Sequence, residues 1–346
     1  MRLYFQLGMT ESLFENGNGN TAAPEPVPGI TLRELTDGDE VSGAFVVRER
    51  ERRQKRNGED YLRVVLADKT GTVPAVAWEG VAACFEVCAP GSIVLVSGCF
   101  SIHPQFGRQI KLAAVRAAGP GEYDAEQLAE GPARSVELLE ADLRELIATV
   151  QNRSLHALLE RFFGPGTAIW ARFREAPAAK HYHQAYAGGL LEHTLSVAQA
   201  VSAAANFFPG IDREIAVTGA MLHDIGKTEA YNDDPLAIEL TDAGRLEGEI
   251  PRGYYLVRRE IERIEGFDPH LAQAILHIIL SHHGQLEHGS PVVPATREAT
   301  LVHAIDNLGG KLGSFDRLEK ELPEGESWSR FDRGIDSSAF FGSRAA

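Results

Sequence analysis

Apolar positions change period once along this chain. Between Ile30 and about Ala118 they fall in short alternating runs, at Val41–Arg48, Tyr61–Ala67, Thr72–Trp78, Ser92–Ile102 and Arg108–Val115. Alternation with period two puts every second side chain on one face of a strand. Gly58, the run Asp68-Lys69-Thr70-Gly71 and the pair Pro90-Gly91 punctuate these runs as turns. Short strands at this density predict a small barrel, with the five-stranded OB-fold as first candidate and an SH3-like barrel as the alternative.

Gly119-Pro120-Gly121 ends that pattern. From Val136 the spacing becomes three and four: Val136, Leu139, Leu143, Leu146, Ile147 and Val150 line one helical face. Further helices are expected at 153–163, 167–175, 187–206, 212–223, 254–265, 268–282 and 296–312, and only Ala237–Leu240 alternates like a strand. The predicted fold is multidomain: an N-terminal OB-like β-barrel followed by an all-α domain. The expected divisions are a tail over 1–29, the barrel over 30–118, a linker over 119–135, the helical domain over 136–322 and a loosely packed, acidic, Gly/Ser-rich tail over 323–346.

Composition narrows the possibilities. A chain of 346 residues, 44% of them hydrophobic, can bury real cores. No apolar run approaches the roughly eighteen residues of a membrane span. The N-terminus lacks the basic and apolar regions of a secretory signal. Cys84, Cys88 and Cys99 are too few for a disulfide framework. Cys84-x3-Cys88 has no second ligand pair for zinc, so plain thiols in a reducing cytoplasm are expected. The net charge of −15 speaks against a broad basic surface, so any nucleic-acid contact must be local. One segment qualifies. Residues 48–58 hold six basic and two acidic side chains in a presumed strand-to-strand connection, and Tyr61, Trp78, Phe100, His103 and Phe106 lie on or beside strands. Arg52, Arg53, Lys55, Arg56 and Arg108 are the candidate nucleic-acid contacts. The competing reading is a solvated loop beside ordinary core aromatics.

The helical region carries most of the twelve histidines. Its centre is Leu222-His223-Asp224-Ile225-Gly226-Lys227, placed at the end of the small, apolar helix Ala216–Leu222. A buried helix end bearing His and Asp is costly unless the pair is satisfied or binds a cation. A plain helix C-cap, closed by Gly226 with Lys227 on the dipole, is the other reading. Three further segments tip the balance: His193 at the start of an apolar helix, Ser281-His282-His283-Gly284 after another, and Asp306 inside Leu301–Asn307. Helices of a bundle can each donate one or two ligands to a shared site. Imidazole and carboxylate together suit Mn2+, Fe2+, Co2+, Ni2+, Zn2+ or Mg2+.

The order H…HD…D resembles the HD phosphohydrolase superfamily. The segments 179–194, 222–227, 277–284, Gly289-Ser290-Pro291 and 303–308 are, in order, closest to the YhaM-type 3′–5′ exoribonucleases, which join an OB-fold to an HD domain. The resemblance implies that His193, His223, Asp224 and Asp306 hold one metal and that His282 and His283 belong to a second, with Asp224 between them. It implies Mn2+ first among one or two divalent ions, Asp224, Lys227 and His183 in catalysis, Lys227 and His183 facing phosphate or substrate, single-stranded RNA or DNA as partner, and a cytoplasmic homo-oligomer without membrane attachment. One departure stands out. Two-metal members of the family carry another histidine between the HD pair and the double histidine, whereas none occurs here between Asp224 and His270. The matching stretch, Gly248–Tyr255, leaves Glu247 or Glu249 as possible substitutes, and a weak or missing second metal as the other outcome. A small-molecule nucleotide phosphohydrolase and a non-catalytic RNA-binding protein with a decayed site remain alternatives.

Overall fold

The computed structural model describes residues 31–342 except 56, 104–106, 120, 129–130, 133, 181–183, 235, 237 and 323–324. The expected tail over 1–29 and the candidates Arg56, Phe106 and His183 lie outside the described residues. The chain begins with five strands, β1 (Glu40–Gln54), β2 (Asp60–Asp68), β3 (Gly71–Ala77), β4 (Ile93–His103) and β5 (Gly107–Ala117), with helix α1 (Val81–Val87) between β3 and β4. They close in the order β1-β2-β3-β5-β4. β1 is long enough to pair with β4 through Glu40–Val46 and with β2 through Val46–Gln54, bending at an irregularity between Val47 and Glu49. β3 and β5 meet in parallel at Ala75↔Ile110. This is OB-fold topology, which settles the choice against an SH3-like barrel.

The alternation read from the sequence is what fills the barrel. Leu62, Val64 and Leu66 on β2 face Ala77, Ala75 and Val73 on β3, and all six are buried with Val94, Val96, Phe100 and Ile110. The residues between them, Tyr61, Arg63 and Val65 on β2 and Thr72 and Pro74 on β3, form the outer face. Two features differ from expectation. The basic run 48–54 is strand rather than connection, because β1 pairs with β2 as far as Gln54↔Asp60. Helix α1 was not foreseen: its seven residues, none buried, give too short a period to read.

The helical region comprises α2 (Ala125–Leu128), α3 (Val136–Ala148), α4 (Arg153–Phe163), α5 (Ala168–Phe173), α6 (Gly189–Ala205), α7 (Arg213–Leu222), α8 (Lys227–Ala230), α9 (Asp242–Glu247), α10 (Glu249–Glu262), α11 (Pro269–Ser281) and α12 (Arg297–Glu321). Local chemistry sets the starts. Asp212 caps α7 by accepting from the amides of Glu214 and Ile215, and Asp268 with Pro269 opens α11. Thr296 accepts from Ala299 N and opens α12. One apolar core joins α3, α4, α6, α7, α10, α11 and α12. Of the expected strand at Ala237–Leu240, Leu240 pairs with Tyr231 in a bridge, while residue 237 lies outside the described residues. α12 runs nine residues past the expected end at Leu312. Within the tail expected to be loose, the described residues 325–342 are paired: Trp328 bridges to Phe340, Asp332 to Ser337, and Ala339 is buried. No helix among the described residues is long and apolar enough to cross a membrane.

Candidate metal centre

Close approach of helices builds the site. Every residue of α7 from Ala216 to Leu222 is buried. Gly219 makes this possible, because a Cβ there would come within 2.3 Å of Ile278 Cδ1 on α11. α7 and α11 therefore lie close together, and both end in histidine: His223 at the C-cap of α7 and His282 at that of α11. A second close approach occurs at Gly226, where a Cβ would fall 2.0 Å from the Glu249 carbonyl oxygen and 2.6 Å from Gly253 N. The HD turn thus rests directly on the start of α10.

His193 on α6, Asp306 on α12 and the pair His223-Asp224 converge. His193 Nε2 lies 3.1 Å from Asp306 Oδ1 and 3.4 Å from Asp224 Oδ2, and His223 Nε2 lies 3.3 Å from the latter and 3.8 Å from the former. The other Asp224 oxygen, Oδ1, faces His282 Nε2 at 3.5 Å. Ligand atoms about 2.1 Å from one ion stand about 3–3.4 Å from each other, so this spacing suits a shared cation. The ligand atoms form two groups sharing Asp224: His193 and His223 on one side, His282 and His283 on the other, each group within 4.8 Å.

The hydrogen bonding points the same way. His223 Nδ1 donates to the Ala220 carbonyl at 2.7 Å, His282 Nδ1 to that of Ile279 at 2.8 Å and His283 Nδ1 to that of His288 at 2.8 Å. With Nδ1 carrying the proton, each Nε2 offers a lone pair to the site. His223 Nε2, His282 Nε2 and Asp224 Oδ1 are buried without a hydrogen bond among the described residues. A cluster of buried acceptors calls for a cation, and the residues present fit a divalent metal.

Charge is distributed accordingly. Burial opposes charge on His223, but Asp224 and Asp306 more than offset it and hold its pKa above the ordinary value. Burial would raise Asp224, yet Lys227 and His223 keep it well below the usual carboxylate range. Asp306 is likewise held far down against burial by its bond from His193. Burial and the neighbouring His282 lower His283, which favours its neutral form.

Lys227 Nζ sits 2.6 Å from Asp224 Oδ2. The ammonium thus lies at the same carboxylate that the histidines surround. Where the expected extra histidine is missing, Glu249 Oε1 comes 3.8 Å from His283 Nε2. Glu247, the other substitute considered, is taken by Arg252 at 2.7 Å. His303 donates from Nδ1 to the His282 carbonyl at 2.7 Å, a buttress that its place in an apolar helix did not announce. His270 is exposed at the start of α11.

The barrel candidates are not gathered into one track. Arg52 lies over the Phe85 ring of α1 at 5.0 Å, while Arg53 pairs with Glu51 at 2.7 Å. As neighbours on one strand they point to opposite faces. Lys55 pairs with Glu59 at 3.1 Å and lies 5.3 Å over Trp78, which stacks on Tyr61 at 4.9 Å. Arg108 donates to the Leu32 carbonyl at 2.6 Å. Arg108 nonetheless lines a cleft of about 1750 Å³ that runs from His193 to the barrel, together with Arg63, Lys69 and Lys180. The cysteines are free, with no histidine or acid grouped around them among the described residues, and burial pushes the Cys88 thiol up to about 11.

Residues 190–310 match the HD domain family. The chain is 30% identical over 305 residues to a 3′–5′ exoribonuclease YhaM of Bacillus velezensis, covering 87% of this chain and 94% of that protein. It is 29% identical over 296 residues to the enzyme of the same name from a Geobacillus species, covering 85% and 89%. The Bacillus subtilis protein of that name is 29% identical, with 87% and 94% covered. Among solved structures, the second OB-fold domain of replication protein A from Methanococcus maripaludis is similar at 21% identity and a TM-score of 0.21, over 27% of this chain and 96% of that one. A small single-stranded DNA-binding protein from Streptomyces coelicolor is similar at 16% identity and 0.21, over 24% and 96%.

Proposed function

Because the chain belongs to the family of YhaM 3′–5′ exoribonucleases, we propose that it is a metal-dependent exonuclease shortening single-stranded RNA from the 3′ end, with Mn2+ as the preferred ion. His193, His223, Asp224 and Asp306 hold one cation, and Asp224, His282, His283 and Glu249 hold a second. The observation that carries this reading is the pair of ligand groups sharing Asp224, whose two oxygens face different histidines. A cleft reaching from the barrel to His193 supports a polymer over a mononucleotide as substrate. The family resemblance adds the expectations of a homo-oligomer and a cytoplasmic location, and three free cysteines suit a reducing compartment.

A bound divalent cation supplies Lewis acidity, lowering the pKa of water and offsetting negative charge on the phosphoryl oxygens. The chain's own residues do the rest. Lys227 fixes the Asp224 carboxylate and keeps it ionised. Main-chain carbonyls hold the imidazoles in the tautomer that leaves Nε2 available. The barrel and the cleft orient the strand so that its terminal diester meets these groups. Water attacks the phosphorus, the P–O bond to the 3′-oxygen of the penultimate nucleotide breaks, and that oxygen takes up a proton. Incubating 5′-labelled single-stranded RNA with Mn2+ tests the reading. A ladder that shortens from the 3′ end is expected, and internal cuts without such a ladder would refute it.

Two further results are expected. Chelation should lower the melting temperature by about 5–10 °C, restored by Mn2+, since a ligand at a hundred times its Kd adds about 2.7 kcal/mol. Calorimetric melts with and without chelator check this. Glu249→Gln should weaken the second cation about 10–100-fold and leave the first in place. A Mn2+ titration followed by calorimetry should then keep one tight step, and an unaltered two-step titration would remove Glu249 from the site.

A further inference from the structure

Residues 325–342 take no part in the metal centre, yet they are anchored to both halves of the molecule. Arg317 on α12 donates to Asp332 at 2.5 Å, and the Phe341 ring meets Phe315 edge-on at 6.3 Å. At the other end the Arg330 guanidinium lies against the start of β5, close enough that a Cβ on Gly107 would sit 3.1 Å from it. The segment therefore lines the same cleft as His193 and the outer face of β2 and β3.

Its chemistry toward the cleft is aromatic and cationic. Trp328 is 58% exposed, although Phe340 backs its ring at 4.8 Å and the bridge to Phe340 fixes its backbone. A large flat ring held rigid at the edge of a cleft is a stacking platform with little ordering entropy left to lose. Arg330 follows two residues later and is exposed. The same cleft is also lined by Arg63 and Lys69. A single strand in this cleft would lay its phosphates along the barrel and turn bases toward the indole.

Resting on the exoribonuclease reading, we infer that the C-terminal segment is part of the nucleic-acid site: Trp328 stacks a base of the strand whose 3′ end lies at the metal centre, and Arg330 contacts a phosphate beside it. The segment lines the cleft that the strand would occupy. It contributes grip on a polymer and nothing to hydrolysis of a small diester.

The test uses the full chain with Trp328→Ala and Trp328→Tyr. Binding of a fluorescent oligoadenylate is measured in an Asp224→Asn background, where the strand is not cut, and hydrolysis of bis(p-nitrophenyl) phosphate with Mn2+ is measured in the otherwise wild-type protein. Loss of one stacked base should weaken oligoadenylate binding at least about fivefold for alanine, and tyrosine should recover most of it. Small-diester hydrolysis should stay at the wild-type rate in both. Unchanged oligoadenylate affinity in Trp328→Ala overturns the inference, and an altered sedimentation coefficient alongside it would assign the ring to contact between copies of the chain. A parallel fall in small-diester hydrolysis also overturns it, since the segment would then act on the fold of the metal centre. Wild-type protein that degrades small diesters but neither binds nor shortens RNA would sink the exoribonuclease reading along with it.

Discussion

Asp224→Asn is expected to abolish Mn2+-dependent RNA hydrolysis, by at least about a thousandfold, with the fold intact. The size of the effect comes from the position of one carboxylate. Its Oδ2 faces His193 and His223 while its Oδ1 faces His282. An amide of the same shape presents one weaker, neutral acceptor and one donor, so it fails toward one cation or the other. It also leaves Lys227, 2.6 Å away and mostly buried, without its counter-charge. Two measurements check this: metal content by mass spectrometry, expected to fall, and single-turnover hydrolysis of 5′-labelled RNA. Activity within about tenfold of wild type would remove Asp224 from the centre of the mechanism.

The second large effect concerns backbone contact. Gly226→Ala should cost about 1–3 kcal/mol of stability, at the upper end of that range, and should also weaken the second cation. The added methyl would point at the Glu249 carbonyl oxygen and at Gly253 N, and main-chain atoms cannot rotate aside as a side chain can. α10 must move away from the HD turn, carrying Glu249 away from His283. Urea denaturation measures the first consequence and a Mn2+ titration the second. Gly309→Ala on α12 is the control, because nothing lies within 4 Å of its Cβ position. It should be neutral or slightly stabilising. Equal destabilisation by both substitutions would show that close approach is not what sets the cost at Gly226.

Much of this architecture was legible in the sequence, for physical reasons. Period-two alternation announced the barrel because each strand buries one face only: Leu62, Val64 and Leu66 inward, Tyr61, Arg63 and Val65 outward. The acids and histidines stood out because they interrupt helices that are otherwise apolar, as Asp306 does on α12 and His223 at the end of α7. What was not legible depends on contacts distant in sequence. Nothing local indicates that Gly226 must admit α10, or that Glu249 rather than Glu247 reaches His283. The basic run after Arg48 looked like one surface. As strand it divides its cations between two faces and spends several on Glu51, Glu59 and the Phe85 ring. The C-terminal segment looked loose because it has no periodicity; its order comes from single contacts such as Arg317 with Asp332.

The anchoring of the imidazoles has a consequence for how this centre tolerates change. His223, His282 and His283 are aimed by carbonyl oxygens of Ala220, Ile279 and His288. Many metal centres orient their histidines with carboxylate side chains, which a single substitution can delete. A main-chain carbonyl survives any substitution at its own position. The aim of these rings is thus inherited from helix ends, and it persists as long as the helices do. Drift among the surrounding side chains can retune the rate or the choice of ion while the ligand geometry stays put. For the same reason a redesigned version could exchange the neighbours of the centre freely, provided that the small residues where helices touch are left alone.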